Sequence, residues 1–312
     1  MVSPRSLEGA CRIDDWGVIR ARGADAGAFL QGQLTNDVLA LDASHARLAG
    51  FCSAKGRLQA SFVVWKAADD EFLLACSASV LAATLKRLSM FVLRAKCKLG
   101  DASAEVVLWG LAGGAAAAAT GDAAPWQRRE HDGLAAIRLP DAEGTPRALL
   151  AMAPGVEPAA VAGATLPLAT WRWLEVRSGI VTIEAATVDR FVPQMVNFEL
   201  VGGVDFQKGC YPGQEVVARS QYRGTTKRRT FLFDSESVAL PGQDVLLAGA
   251  AGEPVGTVAN AAAAPEGGGS ALVEMRLAAL GEGELRLGSD SGPVLRRAPL
   301  PYPLAIDAEA TA

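Results

Sequence analysis

A change of pattern near residue 228 constrains the fold more than any other feature of the sequence. From about Thr230 onward, short apolar runs alternate with Gly, Pro and Asp, as in "TFLFDSE", "GQDVLLAGA", "EPVGTVANAA", "SALVEMRL" and "ELRLGS". Five or six short strands at this spacing are typical of a small closed barrel. We therefore predict a carboxy-terminal β-barrel domain over residues 229–312 and a different kind of structure over residues 1–228.

Residues 1–228 mix strand-like and helix-like patterns. "WGVIRARG", "LQASFVVW" and "EFLLACS" predict strands, whereas "GADAGAFLQGQL" and "SASVLAATLKRLSMFVLRA" have helical spacing. "EVVLWGLAGGAAAAATGDAAP" predicts a strand followed by an Ala-rich helix, because its glycines do not form the G-x-G-x-x-G pattern of a dinucleotide site. The patterns indicate a mixed α/β or α+β start rather than a regular βαβ series, and 312 residues predict more than one subdomain.

Composition excludes several classes of function. Thirty basic and thirty-four acidic residues give a net charge of -4, so direct binding to nucleic acid is not expected. The first ten residues lack the apolar core of a signal peptide, and we expect a cytoplasmic protein with no contact to a membrane. Five widely spaced cysteines and two histidines indicate neither a disulfide framework nor a zinc site.

One cysteine lies in a polar segment, "QKGCYPGQEVVAR", residues 207–219. We expect Pro212 in the first turn of a helix through "GQEVVARS", which would place Cys210 just before the helix amino terminus. There the helix dipole and Lys208 would favour the thiolate, so Cys210 is a candidate nucleophile, metal ligand or redox group. The alternative is a small packing residue, as most free cysteines are.

Two further groups of residues remain open to two interpretations. The segment "ARSQYRGTTKRRTF" could bind an anion, such as a carboxylate-rich ligand tail or a phosphate backbone, or could be a solvated basic edge. Its basic residues are Arg219, Arg223, Lys227, Arg228 and Arg229. Trp16, Trp171 and Trp173 are expected in the core, although such rings also form the walls of sites for flat ligands.

The segment "KGCYPGQEVVAR" resembles the signature K-G-C-Y-x-G-Q-E-x-x-A-R of the YgfZ family. These are folate-binding proteins related to the T-protein, the aminomethyltransferase of the glycine cleavage system. The resemblance extends over nearly the whole chain. It includes "DDWGVIRARGADAGAFLQGQLTNDV", "CSAKGRL", "FVPQMVNFELVGGVDFQKGC", "YRGTTKRR", "PVGTV" and "PLPYPL".

The resemblance implies two interleaved α/β subdomains around a central hole, followed by the barrel. It also implies tetrahydrofolate or a derivative as cofactor, and a role in iron-sulfur cluster assembly or repair that affects tRNA-thiomodifying enzymes. The implied partners are folate and iron-sulfur cluster proteins or assembly factors. The family motif makes Cys210, Lys208, Tyr211, Gln214 and Glu215 the expected catalytic residues. The expected folate-binding residues are Trp16, Trp171, Arg177 and Arg219.

Two departures from the related families bear on the activity. Where many relatives read Arg-x-Glu-x-Gly, this chain has Glu175 to Gly179, with Arg177 in place of the glutamate that would meet the pterin. Where aminomethyltransferases carry a catalytic aspartate, this chain has Ala60 and Ser61, and neither supplies a carboxylate. We therefore expect an accessory factor. The alternatives are a folate-dependent aminomethyl or one-carbon transferase and a non-catalytic folate-binding module.

Overall fold

The computed structural model describes residues 7–131, 133–156, 163–222, 226–249 and 252–304. The helices are α1 Ala26–Gln31, α2 Ala78–Ser89, α3 Gly114–Thr120, α4 Leu168–Arg177 and α5 Gln214–Tyr222. The strands of the first region are β1 Gly9–Arg12, β2 Trp16–Arg22, β3 Ala46–Cys52, β4 Leu58–Ala68, β5 Glu71–Ser77, β6 Lys98–Asp101, β7 Val107–Ala112, β8 Arg128–His131, β9 Leu134–Ala142 and β10 Thr145–Met152. The strands that follow α5 are β11 Arg228–Ser235, β12 Asp244–Leu247, β13 Gly256–Ala263, β14 Gly269–Arg276, β15 Leu285–Leu287 and β16 Val294–Ala298.

The first region contains two five-stranded antiparallel sheets. One sheet has the strand order β3-β4-β5-β2-β6, and the other has the order β1-β7-β10-β9-β8. The first strand of the chain therefore belongs to the second sheet, where Gly9 lies opposite Ala112 and Arg12 opposite Trp109. This crossing of the chain between sheets confirms the interleaved α+β subdomains.

The six strands from β11 to β16 close into a barrel in the order β11-β14-β13-β12-β15-β16, as the strand spacing predicts. Phe231, Phe233, Val258 and Val273 fill its interior, and each is at most 1% exposed. Alternate side chains of β11 and β14 belong to this barrel core, which accounts for the filling. The division of the chain into domains 1–228 and 229–312 stays a prediction.

Helix α4 packs between the sheets and the barrel. Trp171 lies against Gly110 of β7, where a β-carbon would be 2.4 Å from the indole ring. Trp173 packs toward the barrel and donates a hydrogen bond from its Nε1 to Ser270 Oγ at 3.0 Å. Because this helix contacts both sides, its position fixes the junction between the two regions.

Helix α2 is shorter than the sequence pattern predicts. It ends at Ser89, although the helical spacing continues to Ala95. After Ser89 the chain reverses through tight turns so that β6 can pair with β2, with Lys98 opposite Arg22. Tertiary pairing thus overrides the local helical pattern. Within the described ranges, no helix has the length and apolar character needed to cross a membrane.

Candidate functional site

A cavity lies where the two sheets, α4 and the barrel meet. Its main chamber has a volume of 370 Å³, and a smaller chamber of 40 Å³ adjoins it. The two chambers share Trp16, Glu175, Ile180 and Thr182 as lining residues. A space of this size falls within the range of small-molecule sites, so the junction can hold a ligand.

One face of α4 forms a wall of this cavity. Arg172, Glu175 and Val176 line the main chamber, and their spacing of three and four residues places them on the same side of the helix. Arg172 donates from its Nε to Asp15 Oδ2 at 2.8 Å. Trp16 stands beside this pair at the start of β2 and offers a flat apolar wall.

Three carboxylates surround the main chamber, contributed by Asp15, Glu175 and Glu184. Glu175 lines both chambers, and burial raises its pKa to about 8 although the Arg147 charge opposes the shift. Glu184 accepts a hydrogen bond from Asn260 Nδ2 at 2.8 Å, and burial raises its pKa also. Such acceptors suit a ligand that presents several N-H donors.

Arg147 lines the smaller chamber. It is 2% exposed, and burial lowers the pKa of its guanidinium to about 10. Its Nε donates to the carbonyl oxygen of Pro140 at 3.1 Å, whereas its buried Nη1 has no partner among the described residues. A buried donor without a partner is costly, so a ligand acceptor at this place would be favourable.

The residues expected to bind folate are not all in this cavity. Trp16 lines it, whereas Trp171 is fully buried behind it, with the Arg147 guanidinium 5.4 Å from the ring centroid. Arg177 points toward the barrel and forms ion pairs with Glu143 and Asp234. Arg219 is exposed on α5. The roles of these residues in binding stay predictions.

Cys210 is exposed in the loop that precedes α5. The helix begins at Gln214, so the expectation that Pro212 occupies its first turn is wrong. Instead, the Gln214 N-H donates to the Tyr211 carbonyl at 3.2 Å, which closes a turn through Pro212 and Gly213. Gly213 takes a φ of +78°, as the third position of a type II turn requires, and Cys210 is thereby separated from the helix.

Lys208 and Tyr211 hold this loop in place. The Lys208 ammonium donates to the carbonyl oxygens of Gln31 and Leu34, close to the end of α1. Burial lowers its pKa to about 8, and its Nζ lies 5.1 Å from the centroid of the Tyr211 ring. Tyr211 is buried, and this raises the pKa of its hydroxyl. The loop conformation is therefore fixed while the Cys210 thiol faces solvent.

The remaining motif residues lie on the first turn of α5. Gln214 is half-buried and Glu215 is exposed. Gly213 packs against the turn formed by residues 53–56, where a β-carbon on Gly213 would be 2.4 Å from the Ser53 carbonyl oxygen. Ser61 of the smaller chamber follows Gly56 by five positions, so the Cα atoms of these two residues are less than about 18 Å apart.

The contact at Gly213 makes a prediction about stability. Replacing Gly213 with alanine is expected to lower the free energy of unfolding by about 3 kcal/mol or more, because the new β-carbon adds a steric clash to the strain of a positive φ. Gly202→Ala is the matched control, since Gly202 has a φ of +77° with no atom within 4 Å of the added carbon. Urea unfolding of both variants measures the difference, and equal losses would contradict the packing of the two turns.

Two members of the basic cluster have structural partners. Arg228 forms a two-point ion pair with Glu274, and Arg229 pairs with Glu199. Arg219 and Lys227 are exposed, and neither pairs with a carboxylate in the part of the chain that the structure describes. Arg223 lies outside the described residues. Among the described residues of the cluster, Arg219 and Lys227 are therefore the candidates for binding an anion.

The chain is similar to several known proteins. Residues 6–130 match the family model described as the GCVT N-terminal domain. The "tRNA-modifying protein YgfZ" of Edwardsiella ictaluri (strain 93-146) is 32% identical, over 93% of this chain and 91% of that protein. The protein of the same description from Escherichia coli O127:H6 is 30% identical, over 94% of this chain and 92% of that protein.

A solved structure has the same fold. It is the glycine cleavage system aminomethyltransferase T from Bartonella henselae, with a TM-score of 0.74 and 16% sequence identity. The alignment covers 95% of this chain and 86% of the Bartonella chain. At this identity the likeness shows the fold and does not carry the activity.

Proposed function

The chain belongs to the family of tRNA-modifying YgfZ proteins, and from that premise we propose that it is a tetrahydrofolate-binding accessory factor for iron-sulfur cluster assembly or repair. In this proposal the junction cavity holds the folate, and the Cys210 motif acts on the cluster of a partner, such as a tRNA-thiomodifying enzyme. The observation that carries the proposal is the cavity itself, with Trp16, Glu175 and Glu184 in its walls.

The residues of the cavity fit the pterin end of a folate. A pterin is flat, its aminopyrimidine edge presents N-H donors, and its oxo group is an acceptor. Glu175 and Glu184 supply acceptors, Arg147 supplies a donor that lacks a partner, and Trp16 supplies a flat wall. When bound, tetrahydrofolate supplies a carrier for one-carbon units.

The proton on Glu175 gives the cavity a dependence on pH. With a pKa of about 8, its carboxyl group is mostly protonated at pH 7. Two N-H donors from a ligand favour the ionised carboxylate, because each of its oxygens can then accept a hydrogen bond. Ligand binding therefore releases a proton from Glu175, and the affinity is expected to rise with pH up to about 8.

The placement of Cys210 favours action on another macromolecule. Its thiol is exposed, whereas the other four cysteines are buried or half-buried. A partner protein reaches this thiol without any opening of the fold. An exposed thiol on a fixed loop can serve as a nucleophile or as a ligand supplied to a partner.

Aminomethyl transfer is the less favoured function. Ser61 faces the smaller chamber, and its Oγ accepts a hydrogen bond from the Ile183 N-H at 2.9 Å, whereas Ala60 is buried in the core. A hydroxyl group in this place does not supply the carboxylate that the transferase uses. We therefore prefer the accessory role to catalysis of glycine cleavage.

Two measurements on the purified chain test the proposal. Anaerobic calorimetric titration with tetrahydrofolate should give saturable binding at one site per chain. A turnover assay with aminomethyl-lipoyl carrier protein and tetrahydrofolate should give no product above background. Absence of binding would overturn the assignment of the cavity, and sustained turnover would replace the accessory role by that of a transferase.

A further inference from the structure

An exposed apolar group lies between α2 and β6, far along the chain from the Cys210 loop and outside the cavity lining. We call it the apolar knob, and it consists of Met90, Phe91 and Leu93. These side chains are 68%, 43% and 86% exposed. Exposed apolar side chains that lie together on a folded chain indicate a surface that another molecule covers.

The knob has a fixed backbone. The Phe91 N-H donates to the Leu88 carbonyl at 3.0 Å, and the Leu93 N-H donates to the Phe91 carbonyl, also at 3.0 Å. Val92 between them is half-buried and packs on the core beneath α2. The chain is thus anchored by Val92, and this anchoring presents its neighbours outward. Such preorganisation lowers the entropic cost of binding to a partner.

Positive charge surrounds the knob in the sequence. Five basic residues and no acidic residue lie between positions 86 and 100. They are Lys86, Arg87, Arg94, Lys96 and Lys98, all of them exposed. None of them forms an ion pair with another residue that the structure describes. The nearby carboxylate of Asp25 accepts a hydrogen bond from the backbone N-H of Lys96 at 2.6 Å.

From these contacts we propose that the apolar knob and its five cations form a docking surface for a partner protein with an acidic rim around an apolar pocket. Phe91 supplies one ring, but the two most exposed side chains of the knob, Met90 and Leu93, are not aromatic and offer no stacking face to a nucleic-acid base. The chain's net charge of -4 opposes its binding to an extended anionic surface such as a nucleic acid or an anionic membrane. The acidic rim of a protein is local and can match the five cations around the knob. A fixed knob also suits a protein pocket, since a fluid bilayer requires no particular conformation.

Site-specific cross-linking tests this surface. A photo-cross-linking amino acid is placed at Leu93 of the full chain in cells, with Leu240 of the barrel, 68% exposed, as the matched control position. We expect a discrete adduct with an acidic protein from Leu93 and none from Leu240. The combined substitution Arg94→Glu, Lys96→Glu and Lys98→Glu should lower the adduct yield by about tenfold or more. Matching acidic-to-lysine changes on the identified partner should restore it.

Several outcomes overturn the proposal. An adduct from Leu93 that survives the charge reversal contradicts the electrostatic part, and equal adducts from Leu240 contradict a specific surface. Purified wild type and charge-reversed chain are also mixed with phosphatidylglycerol vesicles and with a single-stranded RNA. Binding of either probe that is lost on charge reversal would assign the surface to a membrane or to nucleic acid. Equal tetrahydrofolate affinity of the two chains shows that the charge-reversed fold is intact.

Discussion

Replacing Cys210 with alanine is expected to abolish rescue of a strain that lacks this chain. The thiol is the only group of this side chain that can bind a metal or act as a nucleophile, and alanine retains neither property. Rescue is measured as the content of thiomodified nucleosides in tRNA, which depends on a cluster enzyme in this account. The expected content falls to that of the uncomplemented strain.

Cys97→Ala is the matched control for this experiment. Cys97 is a free, half-buried cysteine, and burial raises the pKa of its thiol. It should restore the modification in full. Because Cys210 is exposed, its replacement leaves no internal void, so the Cys210→Ala chain should unfold at the same urea concentration as wild type. Full rescue by Cys210→Ala would show that the thiol has no chemical role.

Glu175 is expected to control folate affinity and its pH dependence. In the wild type, the affinity for tetrahydrofolate should rise by up to about tenfold per pH unit from pH 6 to 8, because binding removes the proton from a carboxyl group with a pKa of about 8. Glu175→Gln replaces one acceptor by a donor and cannot ionise. At pH 8 its affinity should be at most about one tenth of that of wild type, and its affinity should not change with pH.

Arg177→Met is the control from the same helix. Arg177 pairs with Glu143 and Asp234, so its loss should lower stability and leave the pH profile of binding as in wild type. Anaerobic calorimetry at several pH values, in two buffers of different ionisation enthalpy, measures affinity and proton release together. A wild-type affinity in Glu175→Gln would contradict the role of Glu175. A loss of tetrahydrofolate affinity in Arg177→Met would show that Arg177 takes part in folate binding.

The sequence predicts those parts of the fold that have a local pattern. Strands β2, β4 and β5 follow their short apolar runs, and the turn-separated runs after Thr230 predict the barrel. Structural features that depend on contacts between distant parts of the chain are harder to predict from the sequence. The helical spacing through Ala95 does not reveal that the chain must reverse to pair β6 with β2. Likewise, the sequence around Pro212 does not indicate that Gly213 packs against the turn at Ser53.

The cavity was harder to predict for the same reason. Arg147 comes from β10, Glu184 from the segment after α4, and Asn260 from β13, and no spacing in the sequence connects them. A signal did exist on α4. Residues two apart on a helix point in nearly opposite directions, so Glu175 and Arg177 cannot face the same cavity. Helical phase, together with Arg172, would have identified Glu175 as the residue that faces the cavity.

In the cysteine motif, too, the sequence indicates the local feature and the structure adds the distant contacts. The sequence predicts that Lys208 acts by its charge on the thiol, and the structure adds a holding role for it through the carbonyls of Gln31 and Leu34. These acceptors lie more than 170 positions away from Lys208. The motif thus combines an exposed thiol with residues that fix its loop.

We infer that the activity needs folate in the cavity as well as the thiol of Cys210. This double requirement is tested by expressing Glu175→Leu, with Cys210 intact, in the strain that lacks this chain, and by measuring thiomodified nucleosides in its tRNA. The purified variant must first be shown to fold and to lose tetrahydrofolate binding. We expect the modification to stay at the level of the uncomplemented strain. Full restoration by a folded chain that binds no folate would show that the activity does not need folate.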